Sequence, residues 1–209
     1  MPRHDINGIG INVERFGEGP PLLMLHGFTG SIPAWQGIPE RLGDSFTVYA
    51  IDIIGHGKSS SPDDPYRYRI DRAVDDIAAL ANQLGLDQFA MLGYSMGGRV
   101  ALHFALANPE RVSALILESA SPGIVDHAER ERRIAGDEKL ASMIEQDGLA
   151  AFVDYWESIP LFGSQRNLPE GVRSRQRQLR LAQNPVGLAH SLRGMGAGAM
   201  EPIPFDVVG

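Results

Sequence analysis

The sequence contains no cysteine and only two lysines among its 209 residues, and no long apolar run. Without cysteine, the chain can form no disulfide, no thiolate metal site and no cysteine nucleophile. The same absence fits a reducing compartment, and we expect a cytoplasmic protein. No apolar run reaches the roughly 18 residues that a membrane-spanning helix requires, so no membrane span is expected.

Positive charge is also scarce overall, since the formal net charge is −7. A protein that binds nucleic acid without regard to sequence needs a basic face, so we expect no nucleic-acid partner. Arginine nevertheless outnumbers lysine by 17 to 2. This excess is explained either by codon bias, which we favour for the chain as a whole, or by carboxylate recognition, for which the planar guanidinium is well suited.

Short apolar runs alternate with helical patterns over the first 120 residues. Four runs are typical of buried strands, and they cover residues 21–25, 46–51, 89–92 and 112–117. Continuous apolar strands of this kind indicate a sheet that is covered on both faces. An earlier segment, residues 9–15, is a candidate antiparallel edge. Helical patterns at 77–84 and 100–107 lie between the later strands, which predicts a mainly parallel α/β sheet.

The composition changes after residue 122. From there to about residue 189 the chain is rich in Arg, Glu, Gln and Ala, and we find no convincing strand. A helical insertion after a parallel strand lies at the carboxyl end of the sheet, where ligands bind. We therefore predict an α/β core over 1–122, a helical lid over 123–189 and a return to the core over 190–209.

The strongest motif is Gly93-Tyr94-Ser95-Met96-Gly97, a G-x-S-x-G directly after one predicted strand and before one predicted helix. This context is typical of a nucleophile elbow, in which a tight turn exposes the serine hydroxyl at the top of the sheet. Glycine suits the tight turn because it has no Cβ. We predict that Ser95 is catalytic; the alternative is a purely structural glycine turn.

An oxyanion hole needs two converging backbone N–H groups. In this arrangement one belongs to the residue after the serine, Met96, and the other to the loop after an earlier strand. Residues 26–30 form that loop, and Phe28 is the candidate donor. We interpret His26 as a support for the loop and His56, in the glycine-rich segment 55–59, as structural. That segment lacks the spacing of a phosphate loop.

Three segments together, residues 25–31, residues 52–59 and the elbow, resemble the α/β-hydrolase superfamily. A finer set of motifs is similar to the family of 2-succinyl-6-hydroxy-2,4-cyclohexadiene-1-carboxylate synthases of menaquinone biosynthesis. These motifs are residues 93–99, residues 118–123, Trp156 with Pro160, and residues 191–196. The resemblance extends to about Met200, and it implies a fold with a helical lid, flanking helices and a mainly parallel sheet.

The resemblance also implies a chemistry. These synthases are lyases that eliminate pyruvate from 2-succinyl-5-enolpyruvyl-6-hydroxy-3-cyclohexene-1-carboxylate without a metal or cofactor. Ser95 would initiate proton abstraction, and the oxyanion hole would stabilise negative charge on a carbonyl oxygen. The partner implied is therefore a small-molecule polycarboxylate substrate.

Such a substrate calls for cationic side chains. Arg99 lies one helical turn after Ser95 on the same side of the predicted helix, where it can reach a carboxylate beside the serine. The resemblance assigns substrate binding to four further residues, Tyr94, Arg133, Trp156 and Arg180. The alternatives are surface positions for the arginines and plain core packing for the two aromatic residues.

A serine triad also needs an acid and a histidine, which the family supplies from loops after two further strands. The chain as written ends at Gly209 and departs from the family pattern over residues 201–209. Only His103, His127 and His190 follow the serine, and none is predicted to lie on a loop after a core strand. Glu118 is a conceivable acid. We expect the chain as written to lack C-terminal strands and a working triad, as a fragment, a frameshift product or a divergent protein.

Two other functions stay open at this point. One is an ester or C–C bond hydrolase of the same fold, which uses the same serine and oxyanion hole. The other is an inactive truncated chain or a non-catalytic binding module. The sequence does not indicate an oligomeric state.

Overall fold

A computed structural model describes residues 3–204 and shows one six-stranded sheet in this part of the chain. The strands are β1 (Arg3–Ile6), β2 (Ile9–Phe16), β3 (Pro21–Leu25), β4 (Thr47–Ile51), β5 (Phe89–Tyr94) and β6 (Val112–Glu118). Their order across the sheet is β1-β2-β4-β3-β5-β6. The pairs β3–β4, β3–β5 and β5–β6 are parallel, so the mainly parallel α/β sheet is confirmed.

The first two strands form the antiparallel edge. Strand β2 pairs antiparallel with both β1 and β4. The sequence analysis anticipated β2 but missed β1. The signal was present, because Asn7 and Gly8 join the two strands with φ angles of 49° and 81°. An Asn-Gly pair with positive φ at both positions is a strong hairpin signal.

The described residues form seven α-helices. Three belong to the first part of the chain: α1 (Ile38–Leu42), α2 (Ile70–Gln83) and α3 (Met96–Ala107). The other four follow β6: α4 (His127–Gln146), α5 (Gly148–Ser158), α6 (Glu170–Leu181) and α7 (Pro185–Met195). A 3-10 segment, Pro160–Asn167, joins α5 to α6. None of these helices combines the length and apolar character needed to cross a membrane.

Alternation along the central strands explains why their sequences are continuously apolar. Successive side chains of a strand point to opposite faces. Leu23 and Leu25 contribute to the large core cluster on one face, whereas Leu22 and Met24 join a smaller cluster with Trp35 on the other. Both faces of β3 are therefore covered, so a polar side chain at any of these four positions would be destabilising. The prediction of a buried strand is wrong for residues 112–117, because β6 lies at the edge of the described sheet and its Ile116 is 51% exposed.

The helices after β6 have a small core of their own, in which α4, α5 and α7 contribute buried residues and Phe28 packs against them. We call α4, α5 and α6, with the 3-10 segment before α6, the lid after their predicted role. Helix α7 returns to the sheet by close contact, since Gly187 lies against the backbone of Gly55 with no room for a Cβ. The predicted boundary at residue 189 thus falls inside α7, which belongs to both parts. Residues 205–209 of the predicted return segment lie outside the described residues.

Candidate active site

Ser95 stands between β5 and α3 in a strained backbone conformation, with φ 50° and ψ −111°. Its N–H donates to the carbonyl of Glu118 at 2.8 Å, and its own carbonyl accepts from the N–H of Arg99 at 3.1 Å. These two hydrogen bonds fix the turn between the strand and the helix. Strain of this kind costs on the order of 1–3 kcal/mol and is concentrated at functional sites.

Close contact between strand and helix explains the glycines of the motif. A Cβ placed on Gly93 would lie 2.5 Å from the Cα of Gly98 and 2.7 Å from the carbonyl oxygen of Gly97. Any larger residue at position 93 would push α3 away from β5. The glycines therefore allow the close approach of β5 and α3 that holds Ser95 in the turn, as expected for a nucleophile elbow.

The loop after β3, residues 26–30, runs directly beside the serine, and we call it the oxyanion loop after its predicted role. A Cβ on Gly27 would lie 3.3 Å from the Cβ of Ser95, and Phe28 follows immediately in the chain. Met96 is the first residue of α3, so its N–H has no acceptor within the helix. The structure thus brings Phe28 and Met96 to the serine, where the sequence placed them, and their role as oxyanion donors stays a prediction.

His26 ties this loop to the neighbouring one. Its Nε2 accepts from the N–H of Ile53 at 3.1 Å, so the ring proton lies on Nδ1, which donates to the carbonyl of Gly27 at 2.9 Å. Burial lowers the pKa of the His26 imidazole, and the nearby Asp52 carboxylate opposes only part of that effect. A neutral imidazole is what this pair of hydrogen bonds requires.

Asp52, directly after β4, links the same two loops and was missed by sequence reasoning. Its buried Oδ1 accepts from the N–H of Ile32 at 2.7 Å. Its Oδ2 accepts from Nδ2 of Asn12 at 2.8 Å and from the N–H of Lys58 at 2.9 Å. A signal existed, because the sequence places this aspartate between a buried strand and a glycine-rich loop.

His56 is buried beside the oxyanion loop, with its ring centroid 5.9 Å from that of Phe28. Burial, reinforced by His26, lowers the pKa of His56 to about 3. Its Nδ1 lies 3.1 Å from the carbonyl of Ile54, whereas Nε2 has no hydrogen-bond partner in the described part of the chain.

The lid contacts the oxyanion loop through aromatic rings. Trp156 packs edge-on against Phe28 with centroids 5.5 Å apart, and on Phe162 at 5.4 Å. Its buried Nε1 finds no acceptor among residues 3–204. Tyr94 is 38% exposed and lies with its ring next to Gly27. Trp156 therefore packs in an aromatic cluster and also holds an unused donor beside the oxyanion loop.

Arg99 lies under the lid and is only 8% exposed. Its Nη2 donates to the carbonyl of Met195, the last residue of α7, at 2.8 Å. Burial and the neighbouring Arg133 lower the pKa of the Arg99 guanidinium to about 10. The alternative of a surface arginine is therefore wrong for Arg99, and one of its functions is to cap α7.

The two lid arginines already have carboxylate partners. Nε of Arg133 donates to both carboxylate oxygens of Asp137, at 2.8 and 2.9 Å. Burial raises the pKa of the Asp137 carboxyl. Arg180 donates to Glu157 at 2.8 Å and lies over the ring of Phe162. A substrate carboxylate would have to compete with these partners.

No histidine is hydrogen-bonded to Ser95 within residues 3–204. His103 lies two turns further along α3, where burial, with Arg99 nearby, lowers its pKa. His190 on α7 packs against Tyr68 with ring centroids 5.2 Å apart. His127 is exposed at the start of α4. The same described residues contain no group of three His, Asp or Glu side chains arranged to hold a metal ion.

Comparison with known proteins agrees with this geometry. The family model described as "alpha/beta hydrolase fold" matches residues 20–175. This match covers more than half of the chain, which therefore belongs to the α/β-hydrolases. The serine turn between β5 and α3 has the strand–turn–helix setting that is typical of this fold.

Within the family, the chain is similar to 2-succinyl-6-hydroxy-2,4-cyclohexadiene-1-carboxylate synthases. It is 49% identical to the putative synthase of Bacillus subtilis over 190 residues, covering 89% of this chain and 69% of that protein. The synthase of Serratia proteamaculans is 31% identical, covering 70% of this chain and 56% of that protein. The solved structure of MenH from S. aureus superposes with a TM-score of 0.86 at 34% identity, covering 92% of this chain and 73% of that one. The chain thus spans between 56% and 73% of the length of these relatives.

Proposed function

We propose that the whole protein is a lyase that eliminates pyruvate from 2-succinyl-5-enolpyruvyl-6-hydroxy-3-cyclohexene-1-carboxylate, as part of menaquinone biosynthesis. The product is 2-succinyl-6-hydroxy-2,4-cyclohexadiene-1-carboxylate. One observation carries the proposal: Ser95, in its strained turn beside Gly27, has the buried guanidinium of Arg99 one helical turn below it. The similarity to the named synthases supports the same reaction.

In this proposal Ser95 initiates the removal of a ring proton. The proton leaves C2, beside the succinyl carbonyl, and its electron pair forms the 2,3 double bond; the 3,4 double bond shifts to the 4,5 position, and the bond from C5 to the enolpyruvyl oxygen breaks. The enolate that leaves takes up one proton and becomes pyruvate, so the proton lost from the ring balances the proton gained. Negative charge develops on a carbonyl oxygen during proton removal, and the N–H groups of Phe28 and Met96 stabilise it. Neither a metal nor a cofactor takes part.

The cationic residues hold the carboxylates of the substrate. Arg99 has Nε and Nη2 on the carbonyl of Met195, which leaves its Nη1 for a substrate carboxylate. Arg133 and Arg180 also bind substrate carboxylates. To do so, Arg133 releases Asp137 and Arg180 releases Glu157. Trp156 donates its unused Nε1–H to the substrate. Tyr94 lines the site beside the nucleophile.

The test is pyruvate release by the product of the whole natural gene, followed with a coupled lactate dehydrogenase assay. We expect turnover in the wild type and a loss of at least ~10³-fold in Ser95→Ala. We expect Arg99→Lys to lower kcat/KM about 10-fold, because lysine is a single point donor and cannot form the planar fork. Arg132→Gln, an exposed arginine on α4, is the matched control and should leave kcat/KM unchanged.

Two results would replace this function with another. Hydrolysis of p-nitrophenyl esters without pyruvate release would indicate an ester hydrolase of the same fold. Substrate binding that survives Ser95→Ala, with no turnover in either protein, would indicate a binding module.

A further inference from the structure

A cleft of about 390 Å³ lies between the turn that joins β1 to β2 and the segment 57–62 that follows β4. Asn184, which directly precedes α7, forms part of its wall. Neither the oxyanion loop, α3 nor the lid contributes a lining residue. The cleft is therefore separate from the site around Ser95, and the proposed lyase reaction does not use it.

Hydrogen bonds to β2 hold one wall of the cleft in place. The N–H of Ser60 donates to the carbonyl of Gly10 at 2.8 Å, and the N–H of Gly10 donates to Oγ of Ser60 at 2.9 Å. One residue earlier, Oγ of Ser59 accepts from the N–H of Asn12 at 2.8 Å. Because these bonds lie within the protein itself, the serine wall is preorganised and a ligand need not order it.

Arg3 is attached to the same wall. Nη2 of its guanidinium donates to Oγ of Ser60, and the group lies against Gly10, where a Cβ would collide with Nε of the arginine. Arg3 forms no ion pair with any residue from 3 to 204. Its positive charge and its other N–H groups are therefore available to a ligand in the cleft.

Four further donor groups belong to residues that line the cleft. Nζ of Lys58 is 3.9 Å from Oε1 of Glu14, which is longer than a hydrogen bond. The hydroxyl proton of Ser60, the N–H of Ser61 and Nδ2 of Asn184 donate to no other group within residues 3–204. A ligand with several acceptor oxygens could therefore satisfy donors on both sides of the cleft.

Acceptors with negative charge are missing from the same walls. No Asp or Glu is among the described residues that line the cleft. Glu14 stands beside Lys58, and Asp52 lies below Gly57, where N–H donors already bind both of its oxygens. The ligand must supply the acceptors itself, which favours an anion.

We propose that this cleft binds the phosphate group of a small molecule. Proteins bind phosphate oxygens with Arg, Lys, Ser and Asn side chains and with backbone N–H groups, and this cleft combines all five kinds of donor. Arginine contributes paired N–H groups and lysine a point charge. The arrangement differs from a phosphate loop, in which the N–H groups of a helix N-terminus bind the ligand.

The source of the phosphate is either the inorganic ion or a phosphate monoester. Both present the same tetrahedral group of acceptor oxygens to Arg3 and Lys58. The volume of about 390 Å³ lies within the range of pockets that hold small organic molecules, so an ester has room for its organic part.

Isothermal titration calorimetry of the whole natural gene product with glycerol 3-phosphate tests this proposal without requiring turnover. We expect binding, and we expect Arg3→Gln and Lys58→Gln each to weaken it about 10-fold, as the loss of a charge-assisted hydrogen bond predicts. Arg15→Gln on β2 and Lys139→Gln on α4 are the matched controls, since both residues are exposed and neither lines the cleft. They should bind like the wild type. Arg3 and Lys58 are also exposed, so their variants should melt at the wild-type temperature.

A second titration with inorganic phosphate separates the two sources. Tighter binding of glycerol 3-phosphate identifies a phosphate ester as the ligand, and equal affinity identifies the phosphate ion itself. Absence of binding by both compounds would overturn the proposal, as would unchanged affinity in Arg3→Gln and Lys58→Gln, equal losses in the two controls, or tighter binding of tricarballylate than of glycerol 3-phosphate. Pyruvate release does not enter these measurements, so failure of the proposed lyase activity would leave their result intact.

Discussion

The ring of Phe28 meets the indole of Trp156 edge to face, with centroids 5.5 Å apart and planes at 85°. Phe28 belongs to the loop beside Ser95, and Trp156 belongs to α5 of the lid. Edge-to-face pairs of this kind contribute about 0.5–1.5 kcal/mol beyond the area that they bury. The lid therefore packs directly on the residue whose backbone N–H is expected to stabilise the oxyanion, and lid position and amide position are linked.

Replacing Phe28 with alanine should remove this link. We expect kcat for pyruvate release to fall by about 10- to 100-fold, approaching the effect of losing one oxyanion donor, because the amide is no longer held at its position. Phe28→Tyr, which keeps a six-membered ring, should retain most of the activity. Leu161→Ala, at an exposed lid residue, serves as the control. Equal rates in wild type and Phe28→Ala would show that the loop holds its amide without the lid.

The backbone conformation of Ser95 predicts that a glycine at this position is more stable than an alanine. At φ 50° and ψ −111°, an alanine is strained and a glycine is not. Ser95→Gly should therefore unfold in urea with a free energy about 1 kcal/mol higher than Ser95→Ala. At Ala101, inside α3, the order should be reversed. Ala101→Gly should lower the free energy of unfolding by about 1 kcal/mol, because glycine is a poor helix former. A Ser95→Gly variant less stable than Ser95→Ala would contradict the strained conformation.

Asp52→Ala should be among the most destabilising single substitutions in the chain. It leaves the N–H groups of Ile32 and Lys58 and the amide of Asn12 without their buried acceptor. Each buried donor left without an acceptor costs about 1–3 kcal/mol, so we expect a loss of at least about 3 kcal/mol. Urea unfolding measures this loss, and Asp44→Ala, at an exposed position, should change the free energy of unfolding by less than about 0.5 kcal/mol. A loss at Asp52 of similar size to that at Asp44 would argue against the hydrogen-bond hub.

The lowered pKa of His56 predicts destabilisation by acid. Its pKa falls from 6.5 to about 3 on folding because burial disfavours the charged ring. Between these values the unfolded chain binds one more proton than the folded chain, so the free energy of unfolding falls as the pH falls. One group contributes at most about 1.4 kcal/mol per pH unit in this range. His26 acts in the same direction.

Urea unfolding of wild type and His56→Gln between pH 7 and pH 4 measures this contribution. The free energy of unfolding of the variant should change less steeply with pH, and the difference in slope should correspond to at most one proton, because glutamine does not titrate. His127→Gln, at an exposed position, should keep the wild-type slope. Equal slopes for His56→Gln and wild type would show that the ring is not held neutral.

Several features of this protein could be predicted from the sequence because local patterns determine them. Apolar runs such as residues 21–25 and 89–92 specify buried strands, and the alternation of Leu22 with Leu23 fills both faces of the sheet. The glycine spacing around Ser95 specifies the tight turn, because strand and helix touch there. The segment after residue 122 forms helices because Arg, Glu, Gln and Ala, which are abundant there, are good helix formers.

Other features depend on contacts between residues far apart in the chain. The hydrogen-bond partners of Asp52, the tautomer of His26 and the pairing of Arg180 with Glu157 all depend on residues that are distant in the sequence. Only the tertiary structure decides that Arg99 is buried beneath α7 rather than exposed, since Met195 lies 96 residues away. The sequence by itself determined which residues turn, cap and fill the sheet, because these depend on neighbours in the chain. The fold decided which charged side chains form ion pairs and which are free to bind a ligand, because burial and ion pairing depend on long-range packing.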